Sequence, residues 1–240
     1  LTFETDEVRC HGHIRLAGDK IFSLFTCISD LKGHEETLGT KRPFGTLHGA
    51  DKNRINWKDG LAQERQELGY KTQPYTVIIG GGQGGLALGA RLKVLGVPTI
   101  IIEKNPKAGD NWRNRYKSLC LHDPVWYDHL PYIPFPENWP IFTPKDKLGD
   151  WLEFYCDMME LNYWGNTVCK NAQYDEVKAQ WTVTVVRAGE EVVLKPTQLV
   201  IATGLSGKKT IPSFKSMEKF KGEEHHSSEH PGPDAYKGKK

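Results

Sequence analysis

The chain has 240 residues, of which 38% are hydrophobic and 26% charged, and its formal net charge is +2. A chain of this size can bury a core without disulfide or metal staples, and its basic residues gather on no single element, which excludes a nucleic-acid partner. No apolar run is long enough to span a bilayer, and the opening LTFETDEVRC lacks the basic start and apolar stretch of a signal peptide, so a cytoplasmic protein with no membrane span is expected.

Residues 1 to 33 alternate as a half-buried sheet does, with Val8, Cys10, Gly12, Ile14 and Leu16 on one face, a turn at AGDK and a second run IFSLFTCI, which predicts a β-hairpin. Residues 34 to 72 are polar and punctuated by glycine, with helix potential near 57 to 68, and read as a linker. From Tyr75 a strand, a glycine turn, a helix ending near Gly96 and the apolar run PTIIIEK make a βαβ unit, the start of an α/β domain over residues 73 to 240.

The proline-rich stretch from 120 to 141 must be mostly loop, and its LPYIPFPENWP aromatics are candidates for covering a pocket or domain face. Thr143-Pro144-Lys145-Asp146 then reads as a helix start, with Thr143 as cap and Pro144 in the first turn. Leu148, Trp151, Leu152, Tyr155 and Met159 follow at helical spacing and read as a core stripe. QWTVTVVR, the turn AGEE and VVLKP form a second hairpin, and TQLVIATG another strand. Five cysteines, an odd number with no C-x-x-C spacing, argue against a disulfide framework and a thiol redox pair; Cys10, Cys27 and Cys156 fit the patterns of small buried hydrophobes. His225 and His226 are adjacent and point apart in an extended chain, so no metal site is expected.

The chemistry is concentrated in YTVIIGGGQGGLALGARL. Gly80, Gly82 and Gly85 satisfy G-x-G-x-x-G directly after a strand and at the start of a helix. The first glycine permits the tight turn, the second lets backbone approach a pyrophosphate, and the third lets helix and strand pack, while the helix N-terminus offers N–H groups to the anion. Gly89 eases the same packing, and Glu103 closes the second strand where a carboxylate can accept from an adenosine ribose. These features mark a dinucleotide site, but the spacing does not separate NAD from FAD.

GGGQGG, GDNWRNRY and VIATG, followed by Phe220, Gly222 and His226 as F-x-G-x-x-x-H, resemble the FAD domain of the flavin-containing monooxygenases, over about two thirds of the chain. SLCLHDP is similar to the matching loop of the plant auxin-forming indole-3-pyruvate monooxygenases and related microbial enzymes, and the first thirty residues resemble the last strands of an NTF2-like fold. The match departs from the family pattern at HSSEHP, where His230 stands in place of the usual aromatic.

The resemblance implies a Rossmann-like, glutathione-reductase-type FAD domain with a β-meander. It places the FAD pyrophosphate on Gly80, Gly81, Gly82, Gln83, Gly84 and Gly85 and the ribose on Glu103 with Lys104 nearby. Trp112 and Arg113 would lie along the ribityl chain, Val168 would touch adenine through its backbone, and Ala202, Thr203 and Gly204 would form the turn between the FAD and pyridine-nucleotide domains. His122 falls where the family presents a polar side chain to the flavin edge, as a proton carrier or hydrogen-bond donor; from the residues alone it is equally a loop histidine. Arg113 and Arg115 flank a candidate anion site or are solvated loop charges.

The activity implied is NAD(P)H-dependent monooxygenation of a small organic substrate by O₂ through a flavin C4a-hydroperoxide, with FAD bound and NADPH expected for the full-length protein. The glycine turn for NADPH would follow the F-x-G-x-x-x-H region, and no second G-x-G-x-x-G occurs, so the chain is expected to be an internal segment of a longer enzyme, binding FAD weakly by itself. A flavin-dependent reductase or oxidase without monooxygenation, or a non-catalytic flavin-binding module, shares the same glycine turn.

Overall fold

A computed structural model describes residues 1–45, 48–205, 207 and 209–239. The chain divides into two units, Leu1–Arg54 with Val94–Gly96, and Ile55–Lys93 with Val97–Lys240.

In the first unit the expected hairpin is part of a three-stranded antiparallel sheet, ordered β1 (Thr2–Glu4), β2 (Val8–Ala17), β3 (Lys20–Leu31). Gly18, at φ 65°, closes the two-residue turn between Ala17 and Lys20. The apolar face is more exposed than its alternation implies: Cys10 is buried, whereas Ile14, Leu16, Ile21, Leu24 and Ile28 are exposed, because three strands alone supply no opposing layer. Cys27, expected in a core, is exposed on the opposite face.

The second unit begins with α1 (Trp57–Glu67), inside the stretch read as a linker; the Asn56 side chain caps it by accepting from the Asp59 N–H at 2.9 Å. Next come β4 (Thr76–Ile79), α2 (Gln83–Val94), β5 (Thr99–Ile102) and the short α3 (Asp110–Arg113). Then follow α4 (Lys145–Met158), β6 (Tyr163–Trp164), β7 (Thr167–Asp175), β8 (Gln180–Arg187), β9 (Glu190–Leu194) and β10 (Gln198–Ile201).

The central sheet is parallel throughout, in the order β10-β4-β5-β6. TVII and TIII are unbroken apolar runs because both faces of these strands are covered. Ile78 and Ile101 face Leu86 and Ala90 of α2 and Leu152 and Tyr155 of α4. Val77, Ile100 and Ile102 face Val183, Val185 and Leu194 of the β7–β8–β9 meander, together with Leu68. In the meander, Ala188 at φ 51° and Gly189 at φ 85° make the tight turn of the β8–β9 hairpin. The α/β class with a parallel sheet thus holds.

The helix start at 143–146 differs from the sequence pattern. Pro144, not Thr143, is the residue before the first turn of α4, and it makes no side-chain cap bond. Thr143 is wholly buried with its hydroxyl turned to the Pro140 carbonyl at 3.5 Å, and the Lys145 N–H is satisfied by the Leu119 carbonyl at 3.0 Å. A tertiary acceptor has replaced the local cap.

Candidate functional site

The C-terminal ends of parallel strands are where α/β sheets expose backbone to ligands, and the glycine turn leaves β4 at that edge. Gly80, at φ 113°, donates its N–H to the Ile102 carbonyl at 2.8 Å, which ties the turn to the neighbouring strand. A Cβ on Gly80 would lie 2.4 Å from the Ala202 carbonyl oxygen, and one on Gly85 would lie 1.9 Å from the Gly80 carbonyl oxygen. The motif is therefore spent on two close crossings, turn against β10 and helix against turn. Gly84 has open space around it.

Glu103, buried at the end of β5, closes the turn from the other side. Its Oε2 accepts the Gly81 N–H at 2.8 Å, and its Oε1 accepts the Asn105 N–H at 3.0 Å and the Asn105 side-chain amide at 2.7 Å. A carboxylate has about four acceptor positions, so these three bonds leave one for a ligand hydroxyl.

Two further side chains meet the turn that sequence reasoning missed. The Tyr163 ring, from β6, lies against Gly81, where a Cβ would come 2.5 Å from Cε2 and 2.8 Å from Oη. The Asn111 amide nitrogen, from α3, is 3.1 Å from where a Gly82 Cβ would sit. Tyr163 Oη and Asn111 Oδ1 are both buried without a hydrogen-bond partner among the described residues. Burial, and then the Glu103 charge, push the Tyr163 hydroxyl pKa well up, so it is a neutral donor. The signal available in the sequence was position alone, since Tyr163 stands on the next parallel strand.

The other expected residues spread along this edge. Trp112 Nε1 donates to Gln83 Oε1 at 3.2 Å, joining α3 to the start of α2. Lys104 is exposed beside Glu103. Thr167 donates its N–H to the Glu103 carbonyl at 2.9 Å, which sets Val168, half exposed, one residue beyond. Ala202 donates its N–H to the Ile79 carbonyl at 2.8 Å, so Ala202 and Thr203 pass directly against Gly80, and Gly204 turns away at φ 73°.

Arg113 is engaged within the protein. Its guanidinium bonds Asp110 (2.8 Å), Asp150 (3.1 and 3.0 Å), Glu153 (2.7 Å) and the Ala108 carbonyl (3.1 Å), bracing α3 against α4. Arg115 lies over the Trp112 ring, 5.8 Å from its centroid. His122 is exposed, one residue after Leu121, which lines a neighbouring pocket.

That pocket, about 290 Å³, lies between Gln83 and Trp112 on one side and Leu121, Asp128, Phe135 and Leu148 on the other. Its walls are mainly apolar, and Asp128 is the acidic group among them, with Oδ2 buried and without a hydrogen-bond partner among the described residues. Burial, and then the charge of Asp123, raise the Asp128 pKa. The 120–141 loop thus walls this pocket while its Val125 and Phe135 join the core.

In the tail, His226 Nδ1 accepts the Ser228 N–H at 3.2 Å and His225 lies 3.6 Å from Glu223, so the two histidines serve different partners. Among the described residues no group of three His, Cys, Asp or Glu gathers as a metal site, and no helix is long and apolar enough to cross a membrane.

A close-approach turn, the N-terminus of a twelve-residue helix and a carboxylate with an acceptor position left fit a dinucleotide lying on residues 80 to 85.

The chain is similar to known proteins. A family model described as flavin-binding monooxygenase-like matches residues 103–240. Indole-3-pyruvate monooxygenase YUCCA1 of Oryza sativa subsp. japonica is 35% identical over 180 residues, 75% of this chain and 43% of that protein. Probable indole-3-pyruvate monooxygenase YUCCA3 of Arabidopsis thaliana is 35% identical over 170 residues, 68% of this chain and 39% of that protein. The chain thus spans less than half the length of these relatives. Among solved structures, OTEMO in complex with FAD and NADP matches with a TM-score of 0.54 at 28% identity, over 65% of this chain and 31% of that one. A flavin-containing monooxygenase from Stenotrophomonas maltophilia shares the fold, with a TM-score of 0.58 at 22% identity over 68% of this chain and 48% of that one.

Proposed function

Because the chain belongs to the flavin-binding monooxygenase-like family, we propose that it binds FAD at the glycine turn and forms the FAD-holding part of an NAD(P)H-dependent flavin monooxygenase that oxygenates a small organic substrate with O₂. The observation that carries this reading is the Gly81–Glu103 hydrogen bond, which holds a carboxylate directly beside the glycine turn. In keeping with it, OTEMO is solved with FAD and NADP, and the curated relatives are named indole-3-pyruvate monooxygenases. The finer reading of the fold is a glutathione-reductase-type domain covered by the meander, after an NTF2-like segment.

Bound flavin supplies hydride acceptance and dioxygen chemistry. The chain's residues then have the following parts. The turn of residues 80 to 85 receives the pyrophosphate on backbone N–H groups other than those of Gly80 and Gly81, which bond the Ile102 carbonyl and Glu103, and Glu103 accepts from the ribose, with Lys104 outside it. Val168 meets adenine through its backbone. Trp112 and Arg113 would lie along the ribityl chain, Trp112 fixed on Gln83 and Arg113 holding α3 to α4, beside the pocket that would take an apolar ring system. Ala202, Thr203 and Gly204 form the crossing turn, and His122 is the candidate polar group at the flavin edge. The aromatic and leucine walls serve the exclusion of water that this chemistry requires.

Equilibrium dialysis of the chain against FAD, NAD and NADP tests the binding claim. Retention of FAD with little NAD or NADP supports it; preferential retention of NAD or NADP would assign the turn to a pyridine nucleotide.

A further inference from the structure

We propose that Lys145 is a positioning residue of the cofactor site: by donating to the Arg113 carbonyl it fixes the end of α3, and so sets Trp112 and Asn111 against the glycine turn. The inference rests on the FAD reading above and needs no contact between Lys145 and the ligand.

α3 is four residues long and cannot hold its shape alone. It is pinned at its start, where Gly109 at φ 88° crosses Gly149 of α4 so closely that a Cβ would lie 2.0 Å from the Gly149 carbonyl oxygen. Its last carbonyl, that of Arg113, is one that a helix cannot bond for itself. The Lys145 ammonium donates to that carbonyl at 2.8 Å. Lys145 is the first residue of α4 and its own N–H is held by the Leu119 carbonyl at 3.0 Å, so the side chain reaches out from a fixed base. Between the two pins stand Asn111, whose amide nitrogen lies beside Gly82, and Trp112, which donates to Gln83 at 3.2 Å.

Packing alone would be served by methionine. Lys145 is buried, and a buried ammonium is costly unless its donors are taken. Asp146, itself largely exposed, takes one donor at 2.6 Å, and the Arg113 carbonyl takes another. Only the second bond leads toward the site. A displacement of α3 by about 1 Å would part Trp112 from Gln83 and shift both against a cofactor on the turn, whereas a pinned α3 has them in place before the ligand arrives.

The test is a double-mutant cycle on FAD affinity, read by fluorescence titration of the wild-type chain, Lys145→Met, Trp112→Phe and the double variant, with thermal unfolding of each ligand-free protein. Methionine keeps the buried stem and removes the donor. Lys145→Met is expected to weaken FAD binding about tenfold in the wild-type background. In the Trp112→Phe background it is expected to weaken binding about threefold or less, because the bond it positions is already gone.

Equal FAD affinity of Lys145→Met and wild type, or the same loss in both backgrounds, would overturn the inference while leaving the FAD reading intact. A Lys145→Met chain that no longer unfolds cooperatively without ligand would assign Lys145 to the fold and overturn it as well. A wild-type chain that binds no FAD would overturn the reading itself.

Discussion

Glu103 holds Gly81: one carboxylate oxygen accepts the Gly81 N–H at 2.8 Å, while the other accepts both the backbone and side chain of Asn105. The residue expected to meet the ribose is therefore also the clamp that shapes the glycine turn before any ligand arrives. Glu103→Ala leaves buried donors unpaired and is expected to cost about 1–3 kcal/mol of stability without FAD, in addition to weakening FAD binding. Urea unfolding of the ligand-free variant separates the two: unchanged stability would mean that Glu103 serves the ligand alone.

Gly85 and Gly84 are neighbours with opposite tolerances. A Cβ on Gly85 would lie 1.9 Å from the Gly80 carbonyl oxygen, whereas Gly84 has open space. Gly85→Ala forces helix and turn apart and is expected to destabilise by about 1–3 kcal/mol. Gly84→Ala lies in the first turn of α2 and is expected to be neutral or to stabilise by up to about 1 kcal/mol through helix propensity. Thermal unfolding of the pair checks the order, and a reversed order would show that the helix does not cross the turn at Gly85.

This contrast shows what the sequence makes legible. G-x-G-x-x-G, TVII and TIII each carry a strong local signal, because a close crossing demands glycine and a doubly covered strand demands an unbroken apolar run. Tyr163 carries none: it stands in a two-residue strand too short for periodicity, and only the parallel pairing of β6 with β5 brings it to Gly81. Thr143 shows the opposite case, a clear local cap pattern displaced by the Leu119 carbonyl from a distant loop. The exposed apolar face of the first sheet also departs from its alternation, since periodicity tells which residues share a face and not whether anything covers it.

Arg113 spends its guanidinium on Asp110, Asp150, Glu153 and the Ala108 carbonyl. A lysine carries the charge without the planar fork and cannot reach all of them. Arg113→Lys is expected to destabilise by about 1–3 kcal/mol, which urea unfolding would report. Wild-type stability in this variant would reduce the arginine to a surface charge.

Burial pushes both the Cys156 thiol and the Tyr155 hydroxyl up to about 12. The folded state thus keeps protons that the unfolded chain releases above about pH 8.5 for the thiol and about pH 10 for the phenol. Their contribution is complete below those values and is lost as pH rises toward about 12. Stability measured by urea is expected to fall between about pH 8.5 and 11, and Cys156→Ala is expected to flatten the lower part of that fall. The same burial predicts slow labelling of Cys156 by a thiol reagent beside fast labelling of the exposed Cys27.

The most direct measurement is the visible absorption spectrum of the purified chain after FAD is added and free ligand removed, compared with Gly82→Trp. An indole at position 82 would meet the Asn111 amide at the start of α2, where the pyrophosphate is proposed to lie. Resolved flavin bands in the wild type, absent from a Gly82→Trp variant that still unfolds cooperatively, are the expected result. Bands of equal strength in both proteins, or none in the wild type, would contradict a cofactor seated on residues 80 to 85.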